Sequence, residues 1–188
     1  MNEVIQTILE RRSVRKYLPD ALKKEDIDAI VDCGLWAPSA SNKQDWHVTV
    51  ITDKKRIDQI NDKYKEWMSG HRQNARYDMV MSGEYHVFFN APCLVLISRP
   101  EESSWSETNA GNMAENMCLA AESLGIGNCQ IGLPLPMLRS EIGKDLLPMF
   151  RLPEDYVPHL FISLGYPDKS VISVKKPRRE GTVTYLES

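Results

Sequence analysis

The run APCLVLISR, residues 91–99, restricts the fold of this chain more than any other stretch. Successive side chains of a strand point to opposite faces of a sheet. A strand that is apolar at nearly every position is therefore buried on both faces, which is typical of a central strand. The sequence thus predicts a sheet with this segment in its interior and with helices on its faces.

The rest of the chain divides into helical and extended patterns. Apolar residues that recur every three or four positions predict helices over residues 3–12, 23–36, 54–68, 109–124 and 136–147. Apolar and β-branched runs predict a β-type stretch at residues 13–18 and strands at residues 46–52, 126–133 and 156–167. Residues 69–90 fit neither pattern, and we expect a mobile helical excursion there.

These elements predict an α+β fold, and a chain of 188 residues suits one large domain. Residues 1–165 form the predicted core. Residues 166–188 carry few apolar groups and are interpreted as an extended arm of the same domain. Because such an arm buries little surface against its own core, we expect it to lie on a partner subunit.

The composition argues against several classes of protein. A net charge of -3 and a pI near 5.8 do not suit a nucleic-acid binder. No apolar run approaches the roughly 20 residues that cross a bilayer, and MNEVIQTILERR lacks the apolar core of a signal peptide. We expect a cytoplasmic protein with neither a nucleic-acid nor a membrane partner. The four cysteines show no CxxC spacing, so no metal site is expected.

The segment RRSVRK, residues 11–16, is the first candidate site. Arg11 and Arg12 end a predicted helix, where cations complement the helix dipole. Arg15 lies beyond that helix, and strand alternation would place it on the same side as Ser13. A hydroxyl group and guanidinium groups in a compact space are good ligands for phosphate. Helix capping and phosphate binding are both open interpretations of this segment.

A second basic cluster, KKPRR at residues 175–179, lies in the predicted arm. Its simplest interpretation is a solvated basic tail. Because the chain is acidic overall, the two basic clusters could instead meet at one anion.

The segment LGIGNCQIGLP, residues 124–134, is rich in glycine. Its spacing is not GxGxxG at the start of a helix, which argues against a dinucleotide site. The glycines would instead let the backbone approach a flat ligand closely. No nucleophile with a neighbouring base and no carboxylate pair stands out in the sequence. This pattern is typical of proteins whose chemistry is carried by a bound cofactor.

Three segments, taken in order, resemble the FMN-dependent nitroreductase family. The first, residues 11–51, joins an Arg-x-Ser stretch, a helix and the polar loop APSASNKQDW. The second, NAGNMAENMCLAAESLGIGNCQIG at residues 109–132, is similar to the long central helix of the family and the glycine strand after it. The third joins SLGYPDKS to the basic arm. Residues 65–90 match least.

The resemblance implies a mixed, mainly antiparallel sheet flanked by helices, in an intertwined homodimer whose C-terminal arms are swapped onto the partner subunit. Two FMN sites would lie at the interface, each built from both chains. NAD(P)H would reduce the flavin, and a nitroaromatic, a quinone or another electron-poor compound would reoxidise it in a ping-pong reaction. Two alternatives stay open: a specialised dehalogenase or flavin-cleaving relative, and a flavin-binding or redox-sensing protein with low turnover.

The resemblance also assigns residues to the flavin. It assigns the phosphate to Arg11 and Ser13, with Arg12 between them in the flavin site, and it places the basic pair Lys176 and Arg178 near the phosphate. It assigns the N1–O2 edge of the ring to Arg15, where a positive charge stabilises the reduced flavin. It assigns the partner subunit's side of the site to Pro38, Ser39, Ser41 and Asn42, and a hydrogen bond to the ring or ribityl chain to Gln44. It assigns N5 and O4 to the backbone N–H groups of Ile131, Gly132 and Leu133.

One position departs from the family pattern, because Asp45 stands where the family often has proline. Burial of a carboxylate on the phosphate side of the site would cost free energy. We therefore expect the side chain of Asp45 to point outward.

Overall fold

Four strands and eight helices make up the regular structure of the described residues, which are 1–171 and 175–186 of this computed structural model. The strands are β1 His47–Ile51, β2 Cys93–Pro100, β3 Gly127–Ile131 and β4 Tyr156–Gly165. The helices are α1 Glu3–Glu10, α2 Lys24–Leu35, α3 Lys54–Ser69, α4 Tyr77–Met81, α5 Ser106–Ser123, α6 Leu135–Leu138, α7 Glu141–Lys144 and α8 Leu147–Phe150. A short 3-10 turn covers Ala40–Asn42.

The sheet has the order β1-β2-β4-β3, and all its neighbouring strands are antiparallel. The strand β2 lies between β1 and β4, and it is buried along nearly its whole length. The prediction of a central strand is therefore confirmed. The predicted α+β class, with a mainly antiparallel sheet flanked by helices, is confirmed as well.

The two faces of β2 belong to two different hydrophobic clusters. Leu94 and Leu96 pack together with Phe161 of β4 and with residues of α3. Val95 and Ile97 pack on the opposite face, with residues of α2 and α5. Full burial of one such side chain contributes about 1.5–3 kcal/mol. Two covered faces explain why this strand is apolar at consecutive positions.

The helix α5 crosses the second face of the sheet and packs closely against α2. At Gly34 of α2 a Cβ atom would lie 2.4 Å from the Cε atom of Met117, so a larger residue there would require the Met117 side chain to move. The same helix contacts α1. It therefore packs against both α1 and α2.

Four of the five predicted helices lie within three residues of their expected bounds. The fifth, predicted over residues 136–147, is wrong, because the chain there forms the separate short helices α6, α7 and α8. Ser140 has extended backbone, with φ -93 and ψ 167. Gly143 packs so tightly that a Cβ atom would lie 2.2 Å from the carbonyl oxygen of Met137. A local apolar pattern does not reveal such a return of the chain on itself.

Residues 13–18 make two isolated bridges instead of a continuous strand. Ser13 forms a parallel bridge with Asn128 of β3, and Tyr17 forms an antiparallel bridge with Pro167 after β4. Because the segment passes from one partner strand to the other, it forms no continuous ladder. Residues 69–90 contain the short helix α4 and several turns.

The predicted arm begins on its own core. The N–H of Leu18 donates to the Tyr166 carbonyl at 2.9 Å, and the N–H of Asp168 donates to the Lys16 carbonyl at 3.0 Å. Residues 175–186 are exposed and have no regular secondary structure. Across the described part of the chain, the helices are too short or too polar to span a bilayer. The division into a core of 1–165 and an arm of 166–188 stays a prediction.

Candidate functional site

The N-terminal segment lies against β3. The N–H of Val14 donates to the Asn128 carbonyl at 2.8 Å. At Gly127 a Cβ atom would lie 3.0 Å from the side chain of Val14, so glycine allows this close contact. Burial raises the pKa of the neighbouring Cys129 thiol, while the charge of Arg15 and a hydrogen bond with Ser13 oppose that rise. The strand thus holds Ser13 and Arg15 beside a neutral, buried thiol.

The two basic segments of the sequence meet in one pocket of about 200 Å³. Among the described residues its lining consists of Arg11, Arg12, Ser13, Arg15, Lys175, Lys176 and Arg178. Six of these side chains are cationic and the seventh carries a hydroxyl group. Cations gathered this closely repel one another, and an anion bound between them would relieve that repulsion. The donor set fits a phosphate group, which accepts bidentate bonds from guanidinium groups.

Two glutamates, Glu115 and Glu122, lie close to the arginines of the pocket. The Nε atom of Arg11 lies 3.6 Å from Oε1 of Glu115, and Nε2 of Gln130 donates to Oε2 of the same carboxylate at 3.2 Å. Burial raises the pKa of Glu122, and the neighbouring Arg11 and Arg12 oppose that rise. The side chain of Arg11 is only 22% exposed, so its guanidinium lies against the protein beside Glu115.

Arg15 is supported by the segment that sequence patterns left undefined. Its guanidinium carbon lies 6.0 Å from the centroid of the Phe89 ring, a distance at which a cation–π attraction operates. The ring of Tyr85 meets Phe89 edge-on, with centroids 6.3 Å apart. Phe89 and Asn90 have positive φ angles of 57 and 56, a backbone that is strained for phenylalanine. Part of residues 69–90 therefore packs against the basic pocket.

The loop of residues 38–44 adopts an unusual backbone. Ser41, Asn42 and Gln44 have φ angles of 54, 53 and 49, in the left-handed region that favours glycine. Hydrogen bonds within the loop hold this shape: the N–H of Gln44 donates to Ser39 Oγ at 3.0 Å, and Nε2 of Gln44 donates to Asn42 Oδ1 at 3.1 Å. Pro38, Ser41, Asn42 and Gln44 are exposed.

Within one chain this loop and the basic pocket are separate. Among the described residues, the pocket is lined from residues 11–15 and 175–178 alone. The loop is instead attached to α5, where Nδ2 of Asn112 donates to the Pro38 carbonyl at 3.2 Å.

A model of the nitroreductase family matches residues 8–166, which is most of the chain. This chain belongs to the nitroreductase family. The predicted resemblance is thereby confirmed. The match covers the N-terminal cluster, the loop and all four strands, and it ends where the arm begins.

Individual proteins are similar over the full length of this chain. It is 28% identical over 193 aligned positions to an FMN reductase (NADPH) of Bacillus subtilis, covering 100% of this chain and 74% of that protein. It is 29% identical over 195 positions to an NADPH-flavin oxidoreductase of Vibrio harveyi, with 100% and 75% covered. A nitroreductase of Bacteroides fragilis solved with bound FMN superposes with a TM-score of 0.93 at 29% identity, and 100% of each chain is covered.

Not all residues assigned from the nitroreductase resemblance come together in one chain. The five residues expected at or near the phosphate, namely Arg11, Arg12, Ser13, Lys176 and Arg178, line one pocket with Arg15, whereas the loop residues lie elsewhere. Ile131 is buried at the end of β3, Gly132 is exposed and Leu133 is half-buried. At Gly132 a Cβ atom would meet only Leu135 Cδ1 at 3.7 Å, an ordinary contact, so packing within the chain does not require glycine there. The binding role of each residue stays a prediction.

The expectation for Asp45 is wrong, because its side chain turns inward. It is half-buried, Oδ1 accepts from Nδ2 of Asn109 at 2.6 Å, and Oδ2 accepts from Oγ of Ser103 at 2.9 Å. These two donors offset the cost of burying the carboxylate. A proline pattern gives no information on partners that lie about 60 positions away in the sequence.

Two residues at this site were not assigned individually from the resemblance: Lys175, which lines the pocket, and Phe89, which contacts Arg15 without lining the pocket. Lys175 lines it, and its place within KKPRR was the available signal. Phe89 had no recognisable signal, because its contact with Arg15 joins an irregular segment to the N-terminus.

Proposed function

We propose that this protein binds FMN and uses it to transfer electrons from NAD(P)H to a small electron-poor acceptor. The observation that carries the proposal is the pocket in which residues 11–15 meet residues 175–178. Such a set of cations suits a phosphate monoester, which carries nearly two negative charges at neutral pH. Family membership, together with similarity to an FMN reductase and to an FMN-bound nitroreductase, supports FMN as the ligand.

In this proposal each part of the flavin has its own residues. Arg11, Arg12, Ser13, Lys176 and Arg178 hold the phosphate by charge-assisted hydrogen bonds. The guanidinium of Arg15 serves the N1–O2 edge of the ring. The backbone N–H groups of residues 131–133 donate to N5 and O4.

The proposal includes a homodimer with two FMN sites. Helix α1 has no buried residue in the single chain, and its Val4, Ile5, Ile8 and Leu9 form one exposed apolar face. Trp36, beside the loop of residues 38–44, is 88% exposed. An exposed apolar face such as that of α1 marks an interaction site. A second copy would cover α1 and bring its loop to the pocket. The arm of the first copy, residues 166–188, would extend from its core, residues 1–165, and also contact the second copy.

FMN, when bound, supplies the two-electron chemistry that links NAD(P)H to the acceptor. The protein contributes binding, orientation and electrostatics. The pocket fixes the phosphate, and Glu115 keeps Arg11 aligned with it. Arg15, held over the Phe89 ring, provides a fixed positive charge that favours the more electron-rich form of the ring.

We propose a ping-pong order, in which NAD(P)⁺ leaves before the acceptor binds. Nitroaromatic compounds and quinones are the first acceptors to test. Free flavin is the third, because two similar proteins are named FMN reductase (NADPH) and NADPH-flavin oxidoreductase. A cytoplasmic location stays a prediction.

The visible spectrum and steady-state kinetics of the purified protein test the proposal. We expect flavin absorption bands after incubation with FMN, NAD(P)H oxidation in the presence of an acceptor, and parallel lines in double-reciprocal plots. A protein that takes up no FMN would contradict the proposal. Bound FMN without NAD(P)H oxidation would favour a low-turnover flavin-binding protein, and turnover of iodotyrosine or reduced FMN would favour a specialised relative.

A further inference from the structure

Asp45 connects two parts of the chain that are distant in sequence, residues 40–45 and residues 103–109. Its Oδ1 accepts from Nδ2 of Asn109 at 2.6 Å, and its Oδ2 accepts from Oγ of Ser103 at 2.9 Å. The other end of the Asn109 amide, Oδ1, accepts from the N–H of Ala40 at 3.0 Å. Asn109 is 1% exposed. A carboxylate thus reaches the backbone of the loop through one buried amide.

This arrangement fixes which way the amide faces. A carboxylate can only accept hydrogen bonds, so the NH₂ group of Asn109 has to face Asp45. The carbonyl oxygen of Asn109 then faces the N–H of Ala40, which opens the 3-10 turn of the loop. Without the carboxylate the amide could rotate and present its NH₂ group to that N–H, where two donors would oppose each other.

The loop needs such external support because its backbone is strained. Ser41, Asn42 and Gln44 lie in the left-handed region, and such conformations persist only where surrounding contacts determine them. Asp45 follows this stretch directly and is attached to the start of α5, whose N-cap residue Trp105 makes no capping hydrogen bond with its side chain. A negative charge is favourable near the N-terminus of a helix.

We propose that Asp45 is a positioning residue that sets the shape of the loop of residues 38–44 through Asn109, and thereby controls how tightly the flavin is held. This inference rests on the proposed function, in which the loop contacts the ring and the ribityl chain of a flavin. Asp45 itself acts through Asn109 and does not touch the flavin.

The test compares the dissociation constants of FMN and riboflavin for the dimeric wild-type protein and two variants, by quenching of flavin fluorescence. We expect Asp45→Ala to weaken both flavins equally, by about tenfold or more, because the loop serves the parts that they share. We expect Asp45→Asn to restore binding to within about threefold of wild type, because an amide can accept from Asn109 and donate to Ser103 Oγ. A merely structural role would not produce this rescue together with equal losses.

Asp53→Ala provides a matched control, because Asp53 caps α3 by accepting from the N–H of Lys55 at 2.9 Å, away from the loop. It should lower the melting temperature and leave both dissociation constants unchanged. If Asp45→Ala does not fold, Ser103→Ala takes its place. This variant frees one carboxylate oxygen, and a smaller loss that is again equal for both flavins would support the proposal.

Three outcomes would overturn it: unchanged flavin affinity in Asp45→Ala, unchanged affinity in Ser103→Ala where it replaces that variant, or an equal loss in Asp45→Asn and Asp45→Ala. These results are distinct from failure of the proposed function. If wild-type protein binds no flavin, both proposals fail. If FMN binding depends on Arg11 and not on Asp45, only the positioning role fails.

Discussion

Replacement of Arg11 by alanine tests the phosphate pocket directly. The guanidinium lines the pocket and is mostly buried, with its Nε atom 3.6 Å from Glu115 Oε1. When FMN is bound, the Arg11 side chain would donate to a phosphate oxygen. Riboflavin shares the ring and the ribityl chain but has no phosphate. The variant should therefore lose affinity for FMN and keep most of its affinity for riboflavin.

The expected size of the loss follows from the contacts of Arg11. Loss of one charge-assisted hydrogen bond costs about 1.5–3 kcal/mol, which corresponds to about a 10- to 150-fold rise in the dissociation constant of FMN. The variant also leaves the carboxylate of Glu115 without this cation, although Gln130 continues to donate to it at 3.2 Å. That uncompensated negative charge behind the pocket repels a phosphate, so we expect a loss in the upper half of the range.

Fluorescence titration of both flavins measures the two dissociation constants. Arg56→Ala is the matched control, because Arg56 lies outside the pocket lining and its Nε atom is also 3.6 Å from a carboxylate, that of Asp53. The control should change neither constant. Equal losses of FMN and riboflavin in Arg11→Ala would refute the reasoning, since they would remove Arg11 from the phosphate.

Three further predictions concern the ring, the packing and the pH dependence. Arg15→Gln should lower the two-electron potential of bound flavin by tens of millivolts, with about 30 mV equal to 1.4 kcal/mol. Photoreduction against a reference dye measures this potential. An unchanged potential would show that Arg15 does not lie beside the ring. Gly143→Ala should destabilise the fold by about 1–3 kcal/mol in urea, because its Cβ would lie 2.2 Å from the Met137 oxygen, whereas Gly111→Ala, with nothing within 4 Å, should not. Burial lowers the pKa of His86, so below about pH 6.5 His86 is protonated more readily in the unfolded chain than in the native chain. The free energy of unfolding should therefore decrease as the pH is lowered below about 6.5, and it should decrease less steeply in His86→Gln.

The sequence predicted the fold well wherever periodicity is local. The alternation of faces in β2 and the apolar stripes of four helices depend on neighbouring residues, and these elements were found close to their expected bounds. The prediction at residues 136–147 failed because periodicity does not show how one helix packs on the next. There Gly143 of α7 packs tightly on Met137 of α6. A stripe of apolar residues predicts a helix and does not predict its interruption.

For the site, the sequence identified most of the chemistry and little of the geometry. Cationic and hydroxyl side chains are recognisable by type, so both basic segments could be named before their meeting was known. The support of Arg15 by Phe89 could not be predicted, because it depends on two irregular segments. The orientation of the Asp45 side chain was predicted wrongly. A carboxylate can be buried where hydrogen-bond donors surround it, and the sequence did not show that Asn109 and Ser103 supply those donors.

By itself, then, the sequence determined the family, the central strand, the faces of the main helices and the residues able to bind an anion. Each of these depends on residue type and short-range order, which the sequence states directly. Only the tertiary structure decided that residues 11–15 and 175–178 share one pocket, and that Asn109 links Asp45 to Ala40. Contacts between residues so distant in sequence arise from how the sheet and α5 pack, and that packing is a property of the whole folded chain.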